Sequence, residues 1–181
     1  MSNAVKRPHA QMLTVANALV KLLAPACHRI EIAGSLRRGV PMVGDIELVA
    51  VPILHTNLIG EPMADSSHVD DLLAAKPVVL HKNGPKYKQF SFDWQLGVTI
   101  TVDLFLQPDP ATWGWNFMVR TGSADFSKRM VTPRAYGGLK PDWATIKDAR
   151  VWRNGAALDT SEEPMVFDLW GMDFVPPSER S

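Results

Sequence analysis

A chain of 181 residues, 46% of them hydrophobic, suits one large domain or a domain with a small appendage and is too apolar for a disordered segment. No apolar run approaches the ~20 residues of a membrane span, and Lys6-Arg7-Pro8 leads into an amphipathic segment rather than a signal sequence, so no membrane partner is expected. A single cysteine, Cys27, excludes an intramolecular disulfide and fits a reducing cytoplasm. The formal net charge is zero, but residues 156–181 carry six acids and one base, leaving 18 bases against 13 acids in the first 155 residues. Two basic groups stand out, Lys82, Lys86 and Lys88 in one stretch and Arg120, Lys128, Arg129 and Arg134 in another. They read either as solvated surface or as a phosphate-binding face offset by an acidic tail.

In chain order, Leu13, Ala16, Leu19, Val20 and Leu23 recur at helical spacing over 10–24, and Pro25 ends the run. Residues 28–33 alternate as a strand, followed by a Gly-, Arg- and Pro-rich loop to Gly44 and a second strand over 45–51. Residues 54–66 read as loop, and Ser67 as the N-cap of a short helix to about Ala75. Strands near 86–94 and 98–106 form a hairpin around Gly97. Asp109-Pro110 opens a helix to about Val119, Thr121-Gly122-Ser123 breaks it, and a second helix covers 124–132. Past Pro133 the chain is Gly- and Pro-rich, with a hairpin about Asn154-Gly155 and a helix near 161–171. The expected division is an N-terminal helix over 1–27 packed on the main domain, that main domain over 28–132 and a C-terminal subdomain over 133–181. The tryptophans flanking Gly114 and Trp152 read as packing residues, and the five histidines show no metal-ligand spacing.

The chemistry lies in the carboxylates. Side chains alternate along a strand, so Asp45 and Glu47 project from one face while Ile46 and Leu48 enter the core. In 99–106, Ile100, Val102, Leu104 and Leu106 form an apolar face and Asp103 lies on the other. An Asp on an exposed sheet face is unremarkable by itself. If the two strands are neighbours, however, three carboxylates make an oxygen-rich site suited to Mg²⁺. Upstream, Gly34-Ser35 and the arginines after it could form an anion cradle of backbone N–H groups, a hydroxyl and a guanidinium. A phosphate cradle beside paired metals is the equipment of phosphoryl or nucleotidyl transfer.

Gly34-Ser35-x-Arg37-Arg38-Gly39, Gly44-Asp45-Ile46-Glu47, Val102-Asp103-Leu104 and Thr121-Gly122-Ser123, in that order, resemble the X-family DNA polymerases, the DNA polymerase beta-like nucleotidyltransferases. The similarity extends over about 28–181 and is greatest to short forms of phages and bacteria that keep only the palm and the last subdomain. The resemblance implies an α/β (α+β) fold: a nucleotidyltransferase palm with a mixed, mostly antiparallel sheet and a small α+β C-terminal subdomain. It implies template-directed addition of nucleotides to a DNA 3′ end, in repair or gap filling, by a monomer in the cytoplasm of a bacterium or phage-infected host. Asp45, Glu47 and Asp103 would be catalytic and hold two Mg²⁺ ions, with Mn²⁺ as a substitute. Gly34, Ser35, Arg38, Gly44, Thr121, Gly122 and Ser123 would contact the nucleotide, and Lys82, Lys86, Lys88, Lys128 and Arg129 the gapped or primer-template DNA. The alternatives are a nucleotidyltransferase for an RNA end, protein or small molecule, and a catalytically weak nucleic-acid-binding module.

Three departures from the family pattern bear on function. Glu47 stands where the family usually has a second Asp, Val119 and Arg120 stand where two aromatic residues often precede Thr-Gly-Ser, and Ala124 and Ser127 replace polar residues. Without the aromatic pair, rNTPs are expected beside dNTPs as substrates. The length leaves no room for the lyase and helix-hairpin-helix domains of long family members, so weak DNA affinity is expected.

Overall fold

The computed structural model describes residues 5–95 and 97–181, so the first four residues of the expected N-terminal region lie outside it. The fold is mixed α/β, as expected from the sequence. Its elements up to the middle of the chain are β1 (Arg7–Pro8), α1 (His9–Leu23), β2 (Cys27–Ile32), α2 (Gly34–Arg37), β3 (Met42–Val43), β4 (Ile46–Pro52), β5 (Leu54–Thr56), β6 (Pro62–Ser67) and α3 (His68–Ala74). They continue with β7 (Val79–Asn83), β8 (Tyr87–Gln95), β9 (Val98–Leu106), α4 (Trp113–Thr121), α5 (Ala124–Val131), β10 (Thr145–Lys147), β11 (Arg150–Arg153), β12 (Ala156–Ala157) and α6 (Glu163–Trp170). Among the described residues no helix is long and apolar enough to cross a membrane.

The chain forms two compact units, one of residues up to Leu36 with Val40–Pro108, the other of Arg37–Gly39 with Asp109–Ser181. The division falls after Pro108. The reason is hydrophobic: Trp115 and Met118 of α4 and Phe126 and Met130 of α5 share a core with Val166, Phe167 and Trp170 of α6.

The first unit is built on a five-stranded sheet in the order β2-β4-β9-β8-β7. All neighbours are antiparallel except β4 and β9, which run parallel. Alternation along the strands sends Ile46, Leu48, Ala50, Phe90, Ile100, Val102, Leu104 and Leu106 to one face, where they pack with α1 and α3. Helix α1 buries Met12, Val15, Ala16, Leu19 and Leu23, so its stripe is turned slightly from the expected one and Leu13 and Val20 sit at its edge. Helix α3 starts at a capping box, Asp70 reaching back to the Ser67 backbone N–H at 3.0 Å. Residues 54–66, expected as loop, contain the β5–β6 hairpin, and β7 is an edge strand whose residues are all exposed. Neither has the alternation of buried and exposed positions by which a strand is recognised in sequence.

In the second unit, α4 and α6 meet at Gly114, where a Cβ would collide with the Glu162 backbone. The Gly114 amide donates to the Thr160 carbonyl at 2.6 Å, which explains a glycine between Trp113 and Trp115. Trp115 and Trp170 lie 5.2 Å apart between ring centroids, and the Trp170 indole N–H donates to the Met130 carbonyl at 3.0 Å. The β10–β11–β12 meander turns at Asp148-Ala149 and at the expected Asn154-Gly155, both pairs at positive φ. Trp152 on β11 is half-buried.

Candidate active site

Parallel pairing of β4 with β9 sets Ile46 opposite Val102 and Glu47 opposite Asp103. Asp45 lies in the bend that enters β4, two residues from Glu47, so the three carboxylates gather at one end of the strand pair. All three are half-buried, whereas Ile46, Leu48, Val102 and Leu104 between and beside them are buried on the helix-covered face. Burial raises the Asp45 pKa above the ordinary carboxylate value, and the nearby charge of Asp103 raises it further. Asp45 and Asp103 repel each other, and a cation beside them would relieve both the repulsion and the desolvation. The donor set, three carboxylates and no nitrogen or sulfur, suits a hard cation such as Mg²⁺.

Asp103 is held by two side chains that sequence reasoning had not singled out. The Tyr87 hydroxyl donates to Asp103 Oδ1 at 2.6 Å and the Gln89 amide to the same oxygen at 2.8 Å. Gln89 is directly opposite Asp103 on β8, so Glu47, Asp103 and Gln89 form one row across three strands. Tyr87 is oriented by stacking on Phe105, with ring centroids 5.1 Å apart. The hairpin was legible in sequence but its register was not, because a bulge between Asp93 and Gln95 shifts the pairing near the turn.

Gly34 takes a left-handed backbone, φ +62°, and a Cβ there would collide with the Glu47 carboxylate. The longer side chain of Glu47 therefore uses space that only a glycine leaves free. Ser35 follows in the single turn of α2, its carbonyl accepting from the Val40 amide at 3.0 Å, and Gly44 lies in the bend just before Asp45. This loop is fixed by contacts absent from the sequence reading. Strand β1 pairs with β3, the His9 amide donates to the Pro41 carbonyl at 2.9 Å, and the His9 ring bonds the Leu36 carbonyl at 3.0 Å.

Other expected site residues belong to the second unit. Arg38 donates to the Thr121 carbonyl at 2.6 Å. Arg37 is taken up in an ion cluster: both its terminal nitrogens bond Glu163, at 2.8 and 2.7 Å, and it donates to the Thr121 hydroxyl at 2.8 Å. Arg180 approaches the same carboxylate at 2.5 Å. Thr121 is fully buried, Gly122 ends α4, and Ser123 caps α5 by accepting from the Phe126 amide at 3.1 Å. Val119 packs partly against the core of this unit, and its carbonyl accepts from the Ser127 hydroxyl at 2.7 Å. Lys128 and Arg129 are exposed on α5.

Among the lysines of the first unit, Lys82 and Lys86 are exposed, but Lys88 is only 1% exposed. It pairs with Asp70 and donates to Asn83 Oδ1 at 2.7 Å. The expectation that Lys88 meets DNA is therefore corrected. Alternation puts it on the face of Phe90 and Phe92, toward the helices, where its charge is neutralised within the fold.

No protein-family model and no curated protein matches this chain.

Proposed function

We propose that this chain is a small nucleotidyltransferase that extends DNA 3′ ends, in the manner of a DNA polymerase beta-like repair enzyme. The observation carrying the reading is the in-register pairing of Glu47 with Asp103, with Asp45 two residues away, on half-buried strand positions where alternation alone would allow any polar residue. Asp45, Glu47 and Asp103 would hold two Mg²⁺ ions. Bound there, the metal would lower the pKa of an attacking hydroxyl and neutralise charge on the phosphates.

The remaining roles belong to the protein's own groups. Tyr87 and Gln89 keep one oxygen of Asp103 engaged and so fix the direction of the other. Gly34 leaves room for the Glu47 carboxylate. The turn at Gly34-Ser35 is the anion cradle of this reading, and exposed Lys82, Lys86, Lys128 and Arg129 are its DNA phosphate contacts. Gly122 and Ser123 are assigned to the nucleotide sugar by their place in the family pattern, whereas Thr121, fully buried and bonded by Arg37 and Arg38, is a packing residue in this reading.

The test is incubation with labelled gapped DNA, primer-template or single strand, with each dNTP and rNTP, in Mg²⁺ or Mn²⁺. Template-matched growth of the primer, lost in Asp103→Asn, supports the reading. Template-independent transfer, or transfer only to RNA, protein or a small molecule, would move the chain to another branch of nucleotidyltransferases. Nucleic-acid binding with no transfer to any acceptor would make it a binding module.

A further inference from the structure

The histidines look scattered in sequence, yet the fold gathers two of them with an acid. His55 is in β5, His68 is the first residue of α3 and Asp71 lies three residues farther along that helix. One ring nitrogen from each histidine and one carboxylate oxygen of Asp71 all lie within 4.8 Å of one another. His55 Nε2 is 3.0 Å from Asp71 Oδ2, and the two imidazoles are tilted by 43° with centroids 4.5 Å apart.

The local architecture fixes this grouping. His68 and Asp71, three apart, share one side of a helical turn. The adjacent Asp70 is turned the other way, occupied by Ser67 and the buried Lys88, which leaves Asp71 directed outward. Antiparallel pairing of Leu54 with Ser67, and the His68 amide donating to the Ile53 carbonyl at 2.9 Å, hold β5 against the start of α3. His55 is thereby presented to the helical pair.

We propose that His55, His68 and Asp71 form a binding site for one transition-metal dication of the Zn²⁺ type, separate from the carboxylate triad. Donor atoms around a tetrahedral Zn²⁺, with bonds of about 2.0–2.2 Å, stand roughly 3.4 Å apart, so the His55–Asp71 spacing already approximates one edge. Two imidazoles and one carboxylate are ligands for Zn²⁺, Co²⁺ or Ni²⁺ and poor ligands for Mg²⁺. His55 is half-buried while His68 and Asp71 are exposed, so the metal enters from solvent and water completes its coordination. The bound ion cross-links the β5–β6 hairpin to α3, tying down a segment whose tip presents the exposed Leu58 and Ile59.

The experiment titrates Zn²⁺ by calorimetry, and Co²⁺ by visible absorption, into Asp45→Asn/Asp103→Asn protein, so that the triad does not compete. His55→Ala, His68→Ala, Asp71→Asn and, as control, His81→Ala are made in the same background, with thermal melts to verify folding. Loss of even an outer-shell partner of a metal costs about 10–100-fold in affinity, so removal of a ligand should cost at least that. The expected result is one equivalent bound, weakened tenfold or more by each of the three ligand variants, unchanged in His81→Ala and resistant to excess Mg²⁺. Zn²⁺ should also raise the melting temperature of the Asp45→Asn/Asp103→Asn protein but not of its His68→Ala variant. Absence of saturable one-equivalent binding, or equal affinity in folded His55→Ala and His68→Ala proteins, overturns the site. Neither outcome touches the nucleotidyltransferase reading, which rests on other residues.

Discussion

Glu47 and Asp103 stand opposite each other on β4 and β9, the one parallel pair in a sheet whose other pairings are antiparallel. Two strands far apart in sequence thus bring like charges together, next to Asp45, whose pKa is raised by burial and by Asp103. Arrangements of this kind are costly unless a cation or a proton resolves them, and they cluster at functional sites.

Asp103→Asn should lower nucleotidyl transfer by orders of magnitude while leaving the melting temperature close to that of the unsubstituted protein. The substitution removes a metal-binding charge and keeps an acceptor for Tyr87 and Gln89. Single-turnover primer extension alongside circular-dichroism melts would check this. Retention of more than about a tenth of the rate, ~1.4 kcal/mol in the barrier, would remove Asp103 from the chemistry.

Gly34→Ala should damage activity more than stability. Forcing a side chain into the left-handed region costs about 1–2 kcal/mol, and the new methyl group would displace the Glu47 carboxylate. Swinging a flexible carboxylate aside costs little stability, but that carboxylate is a proposed metal ligand. Shortening it with Glu47→Asp in the Gly34→Ala background should restore part of the lost rate. Transfer kinetics equal to the unsubstituted protein's would separate Gly34 from the site.

Asp70→Asn should destabilise the first unit by about 3–5 kcal/mol, because it leaves the buried Lys88 without its counter-charge. Lys88→Met should cost less, since Asp70 is partly exposed and keeps its bonds to Ser67. DNA affinity should be unchanged in Lys88→Met and reduced in Lys82→Ala or Lys86→Ala. Urea denaturation paired with DNA titration at two salt concentrations would resolve both effects.

Glu163→Gln should weaken the second unit by a similar few kcal/mol, of the order of 3–5, and flatten its dependence on pH. Burial alone would raise the Glu163 pKa, but hydrogen bonds and charge from Arg37 and Arg180 hold it below the ordinary glutamate value. A carboxylate depressed in the folded state adds stability that is complete above its unfolded pKa of about 4.3 and vanishes as pH falls through the folded value. Asp70, also lowered by its bonds from Lys88 and Ser67 and by the charge of Lys88, acts with the same sign in the first unit. Thermal melts from pH 7 downward should therefore show the unsubstituted protein losing stability below about pH 5 more steeply than Glu163→Gln. Parallel curves would assign the acid sensitivity elsewhere.

The sequence by itself determined whatever depends on periodicity and local turn chemistry. It marked the helices about α1, α3, α5 and α6, the strand pair β8–β9 and the Asn154-Gly155 turn, but not that β4 begins at Ile46 and leaves Asp45 in the bend before it. Side-chain alternation along Tyr87-Lys88-Gln89-Phe90 sets Lys88 on the face of Phe90 and sets Tyr87 and Gln89 on the opposite face. Only the tertiary structure decided which strands are neighbours and in what register. That choice made Asp103 the partner of Glu47, recruited Tyr87 and Gln89 past a bulge, closed two arginines on Glu163, and brought His55 to His68 and Asp71. Such pairings join residues far apart in sequence and are selected by how the whole core packs, which no local spacing encodes.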